Sequence, residues 1–205
     1  MNNSTFGPAV IASATARAES ANVSATDARN NGDADRARSY DHDARTFGAL
    51  AALVTAIPGA GDTLVARLSD TLDADSAVRA FGRLAVKARD KALAIIRAET
   101  EGRACEDRYV RVCGSMLLDG SANYGDRERA RVWTDRTRAL GMGHGGFGCN
   151  ASTLGAQLPQ VTMILRAFGI ISAVRNGAGL DWHVTDADAL AAIAGATLAD
   201  EGDAA

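Results

Sequence analysis

The sequence predicts a mainly α-helical protein, a helical bundle followed by a small α+β module with one β-hairpin. Three observations predict this. Apolar residues are 47% of the 205-residue chain but aromatics only 5%, so the core must be built from Ala, Leu, Val and Ile. Ala and Leu lose little entropy in helices. Over most of the chain, apolar residues recur at spacings of three and four, the repeat of one helix face. Only near the C-terminal end do two short runs of strand character flank an Asn-Gly turn, the second alternating apolar and polar residues as a half-buried hairpin strand does.

Taken in order, residues 1–42 are rich in Ala, Ser, Asn, Asp and Arg, with Phe6 and Tyr40 the only aromatics. So little bulky apolar surface predicts a disordered arm, with room for one short helix over 9–19. Residues 43–57 form the first firm helix, with Phe47, Leu50, Val54 and Ile57 on one face and Pro58-Gly59 ending it. Asp62 then caps a short helix carrying Leu64, Leu68 and Leu72. A long helix follows over 75–99, striped by Val78, Phe81, Ala85, Ala88, Ala92 and Ile95. The breadth of the stripe favours packing within one chain. Its narrow edge matches a coiled-coil seam, so a homodimer through the helical region 43–120 is the alternative.

Residues 104–118 give another helix, with Cys105, Val112, Cys113 and Met116 on its inner face. Both thiols read as small core hydrophobes. Residues 119–125 are a turn-rich break. The helix over 126–140 turns Ala130, Trp133, Thr137 and Leu140 inward and carries five arginines. Salt bridges to neighbouring acids are the plain explanation for those arginines.

Charge is unevenly placed. Residues 186–205 hold five acids and no base, and without them the formal −3 becomes +2. Residues 121–185 carry seven arginines against four acids. A mildly basic module, 121–198, therefore precedes an acidic tail, 199–205. That order permits an anionic partner without requiring one. No run approaches the roughly 20 apolar residues of a membrane span. The N-terminus lacks the basic start and apolar run of a signal peptide, and three cysteines do not close into a disulfide framework. These features predict a cytoplasmic protein with reduced thiols and no membrane partner.

Residues 141–150, GMGHGGFGCN, match G-x-G-x-x-G twice. A dinucleotide loop needs a preceding strand, and here an arginine-rich helix precedes. A Walker-type site would need Gly-Lys-Ser/Thr. His144 and Cys149 are two ligands without a set, and Asp41-His42-Asp43 fits a solvated turn before a helix better than a metal site. The stretch is a connecting loop whose first glycine caps the preceding helix, with Asn150 suited to cap the next. No metal, cofactor or enzyme chemistry is expected, since no paired carboxylates, ligand spacing or activated nucleophile occur in a recognisable pattern.

Residues 151–158 predict a short helix with Leu154 and Leu158 inward. Pro159 opens the next, with Val161, Ile164, Leu165 and Phe168 on its apolar face and Gly169 stopping it. Strands over 170–175 and 180–185 flank the turn 176–179. Thr185-Asp186-Ala187-Asp188 is close to a capping box for a last helix through Leu190 and Ile193.

The run Leu165-Arg166-Ala167-Phe168-Gly169-Ile170-Ile171, then Arg175-Asn176-Gly177 and Trp182-His183-Val184-Thr185, resembles a winged helix-turn-helix module over about residues 126–195. Only Pro159 and Gln160 separate the two apolar runs, fewer residues than the usual turn. The glycine stretch is thus the other candidate for the connection. The resemblance implies a regulatory protein that places its second helix in the major groove of double-stranded DNA. Gln160, Thr162, Met163 and Arg166 would then face the bases. Arg175 and Asn176 would stand at the wing tip, and Arg127, Arg131 and Arg138 would neutralise phosphates. The alternative is a non-enzymatic interaction or assembly protein with a disordered N-terminal arm.

Overall fold

The computed structural model describes residues 5–142, 151–177 and 179–195. Within these the chain is mainly helical with one antiparallel hairpin, as the sequence predicts. It divides into two units, Met1–Thr100 and Glu101–Ala205. The acidic tail lies outside the described residues.

The first unit corrects the expectation of a disordered arm. Helix α1 spans Gly7–Asn30, and α2, Ala34–Ala56, turns back along it. The reason is the spacing of small residues. Val10, Ala14, Ala21, Ala25 and Ala28 share one face of α1 and are buried, as is Ala37 of α2. Alanine contributes little area singly, but it lets two helices approach closely along their whole length. Local signals fix the ends. Asp33 caps α2 by accepting from the Arg36 N–H at 3.0 Å.

Helix α3 covers Ala60–Leu68 and starts after Gly59, whose φ of +91° suits glycine. Asp62 does not cap it as expected. It lies in the first turn of α3 and accepts from the N–H groups of Thr5 (3.0 Å) and Phe6 (2.9 Å), so it caps α1. Gly61 allows this contact, because a Cβ there would stand 2.8 Å from Gly7 Cα.

The expected single helix over 75–99 is two, α4 at Ala74–Arg83 and α5 at Val86–Glu101. Most of its stripe is buried as foreseen: Val78, Phe81, Ala88, Ala92 and Ile95 are each 0% exposed. Arg89 accounts for the break. It is 6% exposed and lies 5.6 Å from the Phe47 ring centroid. Its guanidinium donates to the carbonyls of Gly82 and Leu84, which the interruption frees, and pairs with Asp43 of α2. Asp41-His42-Asp43 is therefore no turn. It lies inside α2, with Asp41 on Arg29, His42 beside the Val86 carbonyl and Asp43 on Arg89.

In the second unit, helix α6 spans Arg108–Leu118. Asp107 caps it by accepting from the Tyr109 and Val110 N–H groups. After a 3₁₀ turn at Ser121–Asn123 come α7, Asp126–Ala139, and α8, Ala151–Ala167. Strands β1, Ile171–Asn176, and β2, Gly179–Val184, pair from Ile171 with Val184 to Asn176 with Gly179. Helix α9, Ala187–Ala194, is capped by Asp186 and packs on α6, where Gly114 lets Ala194 approach. Cys105 and Cys113 are buried, and burial pushes the Cys105 thiol up to about 11.

Arg89 is buried while Asp43 is part-exposed, so removing the Asp43 charge strands the guanidinium away from water. Asp43→Asn should therefore lower the stability of the first unit by about 3 kcal/mol, read by denaturant unfolding. A loss near zero would show that Arg89 needs only the two carbonyls.

Candidate functional site

The sequence expects a break at Pro159. Instead α8 is continuous, with Pro159 in its interior. Proline removes one helix hydrogen bond and crowds the carbonyl four residues earlier. That residue is Gly155, and both positions are exposed, so the freed carbonyl keeps access to solvent. Opposite them, Leu154, Leu158, Val161 and Leu165 form one uninterrupted buried stripe. The consecutive helices of this unit are therefore α7 and α8, and the chain between them is the glycine stretch. Gly141 caps α7 as expected, with φ +67° and Met142 donating to the Thr137 carbonyl at 2.9 Å. Residues 143–150, including His144, Cys149 and Asn150, lie outside the described residues.

The same capping geometry ends α8. Gly169 has φ +69°, and the Ile170 N–H reaches the Leu165 carbonyl at 2.9 Å. Leu165 and Ile170 are both fully buried, the apolar contact that usually accompanies this motif. The chain leaves α8 in a defined direction, directly into β1.

Continuity of α8 sets which side chains face outward. Gln160, Met163 and Arg166 succeed one another at spacings of three on its outer side. Met163 is 38% exposed, Arg166 is exposed and Gln160 is half-buried. Thr162 is a correction. It follows Leu158 by four residues, so it shares the inner face. It is 1% exposed, and its hydroxyl donates to the Leu158 carbonyl at 2.8 Å.

Helix α7 sorts its arginines into two groups. Arg136 donates to Ser115 Oγ at 2.7 Å and pairs with Asp119, while Arg129 pairs with Asp126 and reaches the Ala122 carbonyl. These two hold α7 against α6 and the 3₁₀ turn. Arg127, Arg131 and Arg138 are exposed and make no ion pair among the described residues. Spacings of four and seven put all three on one face of the helix. Trp133, 0% exposed and stacked on Tyr109 at 5.9 Å, anchors the inner face.

At the far end of the hairpin, Arg175 and Asn176 are exposed. The Asn176 amide donates to Asp181 Oδ2 at 2.8 Å, so it is engaged within the hairpin. His183 is on the opposite strand face from Trp182 and is exposed.

Two functional features escape sequence reading. The first is Asn123. Its side-chain amide donates to the Trp182 carbonyl at 2.9 Å and accepts from the Trp182 N–H at 2.8 Å. That exchange reproduces the two bonds of a strand pair, so one side chain fastens the edge of β2 to the 3₁₀ turn. The second is a cleft of about 940 Å³ between α8, β2 and the start of α7. Leu154, Leu158, Pro159, Met163, Leu180 and Trp182 supply its apolar lining. The alternation of Leu180 and Trp182 signals a strand face, but nothing local shows that this face meets α8.

Asp119 ties these parts together at the end of α6. Burial raises its pKa, but hydrogen bonds from Ser121 and Arg136 outweigh that and hold the carboxyl below its ordinary value. No known protein family, curated protein or solved structure matches the chain. Among the described residues, no helix is long and apolar enough to cross a membrane. No group of three or more His, Cys, Asp or Glu is arranged there to hold a metal ion.

Two outcomes follow from these contacts. Asn123→Ala should speed hydrogen exchange at the Trp182 amide and cost about 0.5–1.5 kcal/mol, because water takes the place of the lost partner at this exposed edge. Unchanged exchange would show that the hairpin holds without it. A lowered carboxyl pKa stabilises the fold above its unfolded value, and that contribution is lost as pH falls through the folded value. Asp119→Asn should therefore lower the melting temperature at pH 7, and the difference from the parent should shrink as pH falls below the ordinary carboxylate range. A difference that persists in acid would mean the side chain acts without its charge.

Proposed function

We propose that the C-terminal unit binds double-stranded DNA, in a regulatory protein whose role is binding rather than catalysis. The observation that carries this reading is the face of three exposed, unpaired arginines, Arg127, Arg131 and Arg138, on the helix that precedes α8. Guanidinium groups left without acids suit a polyanion, because neutralising phosphates releases condensed counterions. The order of elements supports it: three helices, then a hairpin, as in winged helix-turn-helix modules. In that arrangement α8 is the groove helix, Gln160, Met163 and Arg166 face the bases, and Arg175 contacts the backbone beside the hairpin. Thr162 has no part in it, and Asn176 contributes only by holding the hairpin end.

A second reading is favoured by a different observation. The outer side of α8 carries a single charge, Arg166, while Met163 and Leu180 stay well exposed beside it. That surface also suits a protein partner, which would make this unit an interaction module.

Fluorescence anisotropy with a labelled random duplex, titrated across salt, tests the first reading. Binding should weaken as salt rises, with a logarithmic slope of roughly 0.9 per neutralised phosphate. Replacing Arg127, Arg131 and Arg138 together by alanine should reduce that slope by roughly 2–3. Absence of binding at low salt, or a slope untouched by the triple variant, would reject the arginine face as a phosphate contact.

A further inference from the structure

We infer that the cleft beside α8 is a binding site for a small amphipathic carboxylate, with its aliphatic body on the apolar floor and its carboxylate on Arg166. This inference does not rest on the DNA-binding reading.

Size comes first. A cleft of about 940 Å³ is at the upper end of what small-molecule sites use, roughly 300–1,000 Å³. The lining is next. Leu154 and Leu158 belong to α8, and Leu180 and Trp182 to β2, so two rigid elements face each other across the space. The Trp182 backbone is tied down, because Asn123 holds both its N–H and its carbonyl. Thr162 also lines the cleft, but its hydroxyl is already committed to the Leu158 carbonyl. The floor thus has little to offer a polar or highly charged ligand.

The charge balance then selects the ligand. Among the described residues, the cleft is lined by three charged side chains, Asp126, Arg129 and Arg166. Asp126 and Arg129 pair with each other. Arg166 has no ion-pair partner among the described residues and leaves one net positive charge beside an apolar surface. A ligand that complements this has an apolar body and one anionic head. A carboxylate matches the planar, two-pronged donor geometry of a guanidinium. Met163 at 38% and Leu180 at 49% exposure are the apolar surface such a ligand would cover.

Tryptophan fluorescence reads the binding directly. The chain has two tryptophans. Trp133 is buried and its Nε1 lacks a partner, so Trp133→Phe removes no hydrogen bond and leaves Trp182 as the sole reporter. The full chain with this change, its helicity checked by circular dichroism, is titrated with monomeric sodium decanoate and with neutral decanamide. If the variant unfolds, calorimetry on the parent chain reads the same affinities. Decanoate should give a saturable response and bind about tenfold more tightly than decanamide, the scale of one charge-assisted hydrogen bond. Arg166→Gln should bring decanoate down to the affinity of the amide while leaving the amide unchanged. A non-saturable response, equal affinity of acid and amide, or indifference to Arg166→Gln would overturn the assignment. None of these measurements involves DNA, so their failure would leave the arginine face of α7 standing.

Discussion

A face built from alanine has to bring backbones close together, and that constraint shapes the first unit. With aromatics at 5% of the chain, few side chains are large enough to fill a gap between distant helices. Helices α1 and α2 meet along a face of alanines, Gly61 lies against Gly7, and Gly82 lies under the Phe47 ring. At Gly82 a Cβ would come within 2.8 Å of that ring. Close packing of small residues gains dispersion contacts at short range, but smooth surfaces slide. Something else must set the register.

Directional polar ties do so. In the first unit Arg89 takes the carbonyls freed where α4 ends, pairs with Asp43 and covers Phe47. One side chain thereby links α2, α4 and α5 at a single relative position. A hydrophobic residue there could fill the volume, yet could not satisfy those carbonyls. In the second unit Asn123 plays the corresponding part for the hairpin, and Asp119 with Arg136 does so for α6 and α7. These contacts are directional and make one arrangement better than its neighbours, which apolar burial alone does not.

The hairpin carries both halves of the functional reading. Asn123 holds Trp182 on one side, and the glycine-capped end of α8 leads directly into β1 on the other. Between these fixed points the inner strand face, Leu180 and Trp182, opens a cleft against α8 in place of closing a core. The arginines of α7 divide by the same logic. Those that reach an acid or carbonyl of α6 or the 3₁₀ turn become structural, and those one turn away remain exposed.

Much of the fold is legible in the order of residues, because its signals are local. Helical spacing in 126–140, the strand alternation of Leu180, Trp182 and Val184, and glycines that stop α7 and α8 depend on a few neighbouring residues. So does the burial of Cys113 on the inner face of α6, whereas Cys105 is buried in the segment before that helix. What composition misjudged is residues 5–42, where alanine looks too poor in area to order a chain until a second alanine face lies against it. Pro159 reads as a boundary because proline breaks helices locally. It stays inside α8 because a continuous buried stripe outweighs one lost hydrogen bond. Residue types and spacings alone determine the mainly helical class, the helix over 126–139, the hairpin and the seven arginines between 121 and 185. Only tertiary structure decides that Arg136 is neutralised by Asp119, that Asn123 completes a strand edge and that a cleft exists. Each of these depends on partners distant in the chain, whose approach no local pattern encodes.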